Sequence, residues 1–145
     1  MSKRFMSVLA ILLSVAAISL SNPLNAADKE RKVVLQISDG SPEKQALVLN
    51  VANNLQQHYG ADKVKIEIVA FGPGLQLLFK NNANKERIAG LVGRGVQFSA
   101  CENTVKAMTR QLGHPPAIND KAVSVPAGIA RIMELTEQGY TLVQP

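Results

Sequence analysis

The sequence predicts an α/β protein, a three-layer α/β/α sandwich around a mainly parallel five-stranded sheet. β-prone apolar runs and helical patterns alternate from residue 32 onwards, and strands that alternate with helices run parallel. Because crossovers between parallel strands are right-handed, helices are expected on both faces of the sheet. The composition, 46% hydrophobic but only 4% aromatic, suits aliphatic strands buried between helices, and 145 residues provide one ordinary domain core.

The first strand and the first helix are predicted between residues 32 and 60. Residues 32–38 form a β-branched apolar run, which a turn at Asp39-Gly40 ends. Residues 41–43 are Ser-Pro-Glu, which supply a capping hydroxyl, a proline for the first helical turn and an acid near the positive end of the helix dipole. We therefore expect a helix that ends at Gly60. Its buried stripe is predicted to contain Leu47, Val48, Val51, Ala52 and Leu55.

The second strand is predicted over residues 64–71. Apolar and charged residues alternate at its start, and apolar residues then continue until Gly72-Pro73-Gly74 breaks the run. Apolar residues within 75–79 predict a short helix. A further helical pattern covers residues 85–92, and the glycines at 93 and 95 end it.

The third strand is predicted over residues 96–100, directly before Cys101. Asn103 or Thr104 is expected to cap the helix that follows, because both side chains can accept hydrogen bonds from amides of the first turn. Its apolar side is predicted to contain Val105, Met108 and Leu112.

Two more strands and one helix complete the predicted sheet. Residues 122–125 form a short fourth strand, and Pro126 opens a helix that Gly139 ends. Residues 140–143 form the fifth strand. The buried side of the helix is predicted to contain Ile129, Ile132, Met133 and Thr136.

The first 27 residues have the layout of a secretory signal peptide. Lys3 and Arg4 are followed by the largely apolar residues 5–20 and then by the small and polar residues 21–27. The apolar stretch is shorter than the roughly 20 residues that a membrane-spanning helix needs, and Pro23 interrupts it. We expect cleavage, a domain over residues 28–145 in the periplasm or secreted, and no stable membrane anchor afterwards.

Charge and motifs argue against several classes of protein. The formal net charge of +5 falls to about +3 without Lys3 and Arg4, and scattered basic residues with few aromatics predict no nucleic-acid binding. The chain has no cysteine pair and no two histidines at helical spacing, so no metal site is predicted. No cofactor is predicted either, since the glycine-rich fingerprints of dinucleotide and phosphate loops are incomplete.

Three loops are predicted to meet at one edge of the sheet. They leave the carboxyl ends of the first three strands, and ligands of open parallel sheets bind at that edge. The candidate site residues in these loops are Asp39, Gly40, Ser41, Gly72, Pro73, Gly74, Cys101, Asn103 and Thr104.

Cys101 is the one cysteine of the chain, so an intramolecular disulfide is excluded. A thiol at the start of a helix faces unpaired amides and the positive end of the dipole, both of which favour the thiolate and suit a nucleophile. Lys106 adds positive charge one turn later and Glu102 opposes it. The alternative is a buried, inert cysteine. His58 and His114 are expected at the opposite edge as solvated surface residues, which disfavours a Cys–His dyad.

Several segments resemble the DsrE/DsrF-like sulfur-relay family. The similar segments are 32–39, 69–74 and 98–104, and residues 125–128 with Gly139-Tyr140 are similar to the closing segment of that family. The resemblance implies a compact parallel α/β fold, a tendency to form homo- or hetero-oligomers and, in some members, a cysteine that carries sulfur as a persulfide. Cys101 occupies the matching position.

Two hypotheses for function follow from the sequence. The first is an exported sulfur carrier or sulfurtransferase accessory that uses Cys101 as a persulfide-forming thiol and exchanges sulfur with a donor or acceptor protein. The second is a non-catalytic module that binds a small ligand or forms oligomers, in which Cys101 is structural.

Overall fold

The computed structural model describes residues 30–145; the predicted signal peptide, residues 1–27, lies outside the described residues. Strands and helices alternate along this part of the chain. A 3-10 segment, Gly72–Leu78, follows the second strand. The other elements are β1 (Arg31–Ile37), α1 (Pro42–Tyr59), β2 (Val64–Ala70), α2 (Lys85–Val92), β3 (Gln97–Cys101), α3 (Glu102–Leu112), β4 (Val123–Val125), α4 (Gly128–Glu137) and β5 (Thr141–Val143).

The five strands form one sheet in the order β4-β3-β2-β1-β5, and every pair of neighbouring strands is parallel. The predicted α/β sandwich is therefore confirmed. In this register Val33 lies beside Ile66 and Thr141, and Cys101 lies beside Val125 at the carboxyl end of β3.

The two faces of the sheet are covered unequally. The larger apolar cluster contains residues of α1, α2, α3 and the 3-10 segment, whereas α4 packs on the other face through Ile132 and Leu135 against Val34 and Val69. The connections from β1 to β4 all advance in one direction across the sheet. The connection from β4 to β5 returns to the opposite edge, and a right-handed crossover in the reverse direction places its helix on the opposite face.

The start of α1 is formed as predicted, but its buried stripe differs from the prediction. Ser41 caps the helix by accepting a hydrogen bond from the Lys44 amide at 3.3 Å. Leu47 is 40% exposed, and Val51 and Leu55 are only partly buried. The fully buried positions are Gln45, Val48, Leu49, Ala52 and Gln56.

The two glutamines explain the rotated stripe of α1. The Gln45 side chain donates to the Gly40 carbonyl at 2.9 Å, and the Gln56 side chain donates to the Arg94 carbonyl at 2.8 Å. Because these amides have partners, burying them carries no penalty for an unsatisfied polar group. Hydrophobic spacing has no means of detecting such partners.

The buried side of α4 also differs from the prediction. Ile132 and Leu135 are buried, whereas Ile129 and Met133 are 53% and 59% exposed, and Thr136 is exposed as well. Among residues 30–145 no other helix packs on this face of the sheet, so only a narrow stripe of α4 meets other side chains. A sequence with apolar residues on two sides of a helix does not reveal which side is covered.

Helix α3 begins at Glu102, with Cys101 at the capping position, so the prediction of Asn103 or Thr104 as the cap is wrong. Val105 and Met108 are partly buried against the larger core, but Leu112 is 54% exposed because it lies in the last turn. The predicted short helix over 75–79 is the 3-10 segment, which starts at Gly72.

None of the helices within residues 30–145 is both long enough and apolar enough to cross a membrane.

Candidate functional site

Cys101 ends β3 and caps α3, and it lies almost entirely below the surface. Its backbone is extended, with φ −71° and ψ 114°, and the residue is 5% exposed. The amide of Gly128, the first residue of α4, donates a hydrogen bond to the Cys101 sulfur at 3.2 Å. The sulfur is therefore situated where two helices begin.

This position is the topological switch point of the sheet. Strands β3 and β4 are neighbours, but α3 leaves β3 on one face and α4 leaves β4 on the other. The Asn103 amide donates to the Pro126 carbonyl at 3.3 Å and joins the two departing chains. Open α/β sheets bind ligands in the crevice between such diverging connections.

The surroundings of the sulfur favour its ionised form. Burial raises the pKa of Cys101, whereas the nearby Thr104 side chain and the nearby amides of Gly128, Thr104 and Asn103 lower it. Of these groups the Gly128 amide is hydrogen-bonded to the sulfur, and the side chain of Cys101 makes no cap hydrogen bond to the first turn of α3. Together these donor groups outweigh burial, so the pKa of Cys101 lies below its ordinary value of 9.0. The predicted effect of a helix start on this thiol therefore acts from two helices.

Lys106 forms an ion pair with Glu102. Its ammonium lies 3.7 Å from a Glu102 carboxylate oxygen, and the other oxygen of Glu102 accepts a hydrogen bond from Ser124 at 2.9 Å. The two charges that were expected to act in opposition on Cys101 thus form an exposed pair with each other.

The three predicted loops are joined by close backbone contacts. The Gly72 amide donates to the Thr104 hydroxyl at 2.9 Å, which links the second loop to the third. The Phe71 amide donates to the Ile37 carbonyl at 3.1 Å, and Gly74 lies so close to Ile37 that a Cβ atom there would collide with its carbonyl group. The loops after β1, β2 and β3 therefore form one rim.

Five of the nine candidate residues line two separate depressions on this rim, and Gly40, Ser41, Gly74 and Cys101 line neither of them. One cleft of about 470 Å³ contains four of the five, and a second depression of about 350 Å³ contains Asp39. The Asp39 carboxylate accepts a hydrogen bond from the Ser41 amide at 2.7 Å, and Gly40 accepts one from Gln45, so this loop serves the start of α1. The larger cleft is lined by Gly72, Pro73, Gln76, Asn103, Thr104, Ala107, Met108 and Gln111.

The two histidines are exposed, as predicted. His58 lies in the last turn of α1, where its ring contacts Tyr59, and His114 lies beyond α3. Within residues 30–145, His, Cys, Asp and Glu side chains form no group of three or more that could hold a metal ion.

An ion pair between β2 and α4, with a buried carboxylate, was not expected from the sequence. Glu67 of β2 is 3% exposed, and it accepts hydrogen bonds from Arg131 of α4 and Ser99 of β3. The hydrogen bonds that Arg131 makes to Glu67 raise the pKa of Arg131 above its ordinary value. The signal in the sequence was an acid at the centre of an otherwise apolar run, with Ile66 and Ile68 on either side.

Comparisons with known proteins support the fold. No protein-family model and no curated protein matches the chain. The chain is similar to the solved structure of MTH1491, a protein of unknown function from Methanobacterium thermoautotrophicum. The two chains are 25% identical with a TM-score of 0.72, and the match covers 79% of this chain and 99% of that one.

Proposed function

We propose that this protein is an exported sulfur carrier or sulfurtransferase accessory in which Cys101 accepts and passes on a sulfane sulfur. The observation that carries the proposal is the hydrogen bond from the Gly128 amide to the Cys101 sulfur, at the point where α3 and α4 both begin. Persulfide exchange requires a nucleophilic thiolate, and this environment favours that form.

The proposed reaction consists of two exchanges without net oxidation. The Cys101 thiolate attacks the outer sulfur of a donor persulfide, forming a new S–S bond while the donor's S–S bond breaks and the donor leaves as a thiolate. An acceptor thiolate then attacks the outer sulfur on Cys101, and Cys101 leaves as a thiolate. One cysteine is sufficient for both steps.

The burial of Cys101 defines how a donor reaches it. Because only 5% of the residue is exposed, the proposal requires that the starts of α3 and α4 separate locally to admit a donor. The resemblance of residues 98–104 to the sulfur-relay family supports the role of sulfur carrier, and the layout of residues 1–27 supports export.

Intact-protein mass spectrometry after exposure to a small persulfide donor tests the proposal. We expect the wild-type protein to gain one sulfur atom, to lose it to an added thiol, and to gain none as the Cys101→Ser variant. A glutathione control shows that the donor is active. No gain by wild-type protein while glutathione gains sulfur, or an equal gain by Cys101→Ser, contradicts the proposal.

A second candidate function is a non-catalytic module that forms oligomers, with Cys101 structural. The exposed apolar side chains of the α4 layer, Ile129 and Met133, favour it. Native alkylation discriminates between the two functions. Labelling of folded protein at neutral pH supports sulfur transfer, whereas labelling only upon unfolding supports the structural role.

A further inference from the structure

The ion pair beneath α4 has a directional, bidentate geometry. Arg131 Nε donates to Glu67 Oε1 and Arg131 Nη2 donates to Glu67 Oε2, both at 2.8 Å. The Ser99 hydroxyl donates to Glu67 Oε1 at 2.6 Å. The carboxylate thus binds one residue of α4 and one residue of β3, and the three groups have fixed positions relative to each other.

The same contacts connect the start of α4 to the strand that carries Cys101. Ser99 and Cys101 are two residues apart along β3, so their side chains point to the same face of the sheet. The Arg131 amide donates to the Ala127 carbonyl at 3.0 Å and closes the turn of α4 that contains Gly128. A shift of Arg131 relative to Ser99 therefore moves the Gly128 amide relative to the sulfur.

Helix α4 has no side-chain cap of its own. Ala127 occupies the capping position and has no polar side-chain atom, so one free amide of the first turn binds the Cys101 sulfur instead. Pro126, the residue before Ala127, accepts a hydrogen bond from the Asn103 amide through its carbonyl. The apolar contacts through Ile132 and Leu135 lie after this turn, and within the turn Gly128 packs against the Phe71 side chain.

We expect the Glu67–Arg131 pair to fix the geometry of this region more than it stabilises the fold, because of the energetics of buried ion pairs. Removing two charges from water offsets most of their attraction, and an apolar pair of similar size often stabilises a protein equally well. A guanidinium fork on a carboxylate does, however, fix orientation and distance more narrowly than an apolar contact does. Around it, Val34, Val69, Ile132 and Leu135 already form an apolar cluster.

We propose that Glu67 and Arg131 are positioning residues that hold the Gly128 amide on the Cys101 sulfur and thereby set the reactivity of the thiol at neutral pH. The inference rests on the proposed function in taking Cys101 as the reacting group. The other charged groups around this turn are paired. Glu102 lies 3.7 Å from Lys106, and Glu134 lies 3.5 Å from Arg131 Nη1.

The test is the pH profile of Cys101 alkylation by iodoacetamide in full-length wild-type protein and in Arg131→Lys. Lysine keeps the positive charge but lacks the fork. We expect the midpoint of the variant's profile to move to higher pH. The ratio of its rate at pH 7 to its high-pH plateau falls roughly fivefold, which corresponds to about 1 kcal/mol for one hydrogen bond. The plateau itself reports access to the sulfur.

Two further variants make every outcome decisive. Ile132→Val weakens the packing of α4 without touching the pair, and its midpoint should equal that of the wild type. Glu67→Gln removes the negative charge but keeps the shape of the side chain. The midpoint of its alkylation profile should move to higher pH, as in Arg131→Lys. An unmoved midpoint in Arg131→Lys, an equal shift in Ile132→Val, or unfolding of both pair variants overturns the proposal.

The two experiments distinguish a failure of the positioning role of Glu67 and Arg131 from a failure of the proposed sulfur transfer. If wild-type protein gains no sulfur but the midpoint shifts in the pair variants, the proposed function fails and the positioning role stands. If wild-type protein gains sulfur and the midpoints coincide, the positioning role fails and the proposed function stands.

Discussion

At the scale of single residues, the reactivity of Cys101 depends on the protein groups that take the place of water around its sulfur. Burial alone makes a thiol less acidic, and a cysteine that is 5% exposed is ordinarily inert. Here the Gly128 amide, which is hydrogen-bonded to the sulfur, acts with the nearby Thr104 side chain and the nearby amides of Thr104 and Asn103 to lower the pKa. The Thr104 hydroxyl also accepts from the Gly72 amide, so the loop after β2 helps to orient it.

The lowered pKa of Cys101 predicts a pH-dependent contribution to stability. The folded thiol ionises at a lower pH than the unfolded one, so the unfolding free energy of wild-type protein relative to Cys101→Ser should rise as the pH approaches 9.0 from below. Above the ordinary pKa both states are ionised and the difference should level off. Urea denaturation at a series of pH values measures it.

A variant with an unrelated hydroxyl provides the control for this measurement. Thr109 donates only within α3, to the Val105 carbonyl at 2.8 Å, so the difference between wild-type protein and Thr109→Val should not change with pH. A Cys101→Ser difference that is flat or falls as the pH rises shows that folding does not favour the thiolate.

At the scale of elements, the 3-10 segment determines how the rim is built. Gly74 allows this segment to lie directly against the end of β1, where the Ile37 and Ser38 backbones leave no room for a side chain. That approach places Gly72 within reach of Thr104. The cleft beside α3 therefore depends on a glycine that contributes no chemical group.

Two glycine substitutions test this role of the 3-10 segment. Gly74→Ala should destabilise the protein by about 3 kcal/mol, because its methyl group would collide with the Ile37 carbonyl group and the backbone has to move. Gly90→Ala, inside α2, has only the Arg94 side chain nearby and should stabilise by up to about 1 kcal/mol. Denaturant unfolding measures both. Similar effects of the two variants would show that the close approach is unimportant.

The positions of most elements could be predicted from sequence because their signals are local. The helix over 85–92 is α2 as observed, and the first strand was predicted one residue late. Proline, glycine and β-branched runs mark such boundaries without reference to the rest of the chain. The buried sides of α1 and α4 were mispredicted because they depend on partners elsewhere, such as the Gly40 and Arg94 carbonyls that bind Gln45 and Gln56.

The candidate site was predicted in part, for the same reason. The alternation of strands and helices was enough to place Cys101 and Gly72 at one edge of the sheet. The Gly128 amide lies 27 residues beyond Cys101 in the sequence, and the pairing of Glu67 with Arg131 spans 64 residues. No local pattern encodes contacts of that separation.

At the scale of the whole molecule, the uneven covering of the sheet is the main feature. In the part of the chain that the structure describes, three helices and the 3-10 segment lie on one face of the sheet, and α4 is the one helix on the other. Leu142 of β5 is in register with Val34, so it belongs to the α4 face, where it is 38% exposed. Together with Ile129 and Met133 it leaves apolar surface in the thinner layer, which is typical of an interaction site.

Self-association through this layer is the prediction at this scale. Ile129→Gln with Met133→Gln should shift the protein to smaller species in analytical ultracentrifugation, while its unfolding free energy changes by no more than about 0.5 kcal/mol, since both side chains are over half exposed. Leu47→Gln on α1, on the opposite face, is the matched control. A wild-type protein that is monomeric over the whole concentration range contradicts the prediction.

The order in which the chain is made has a consequence for its sulfur. Chains emerge from the ribosome amino end first, so Cys101 appears before Gly128 and Arg131, and β1 waits for a partner strand that follows it by more than a hundred residues. Until those later residues arrive, the sulfur lacks the hydrogen bond from the Gly128 amide. The surroundings of the sulfur are therefore completed late in synthesis, and a nascent chain that stalls before residue 128 has no Gly128 amide to bind the Cys101 sulfur.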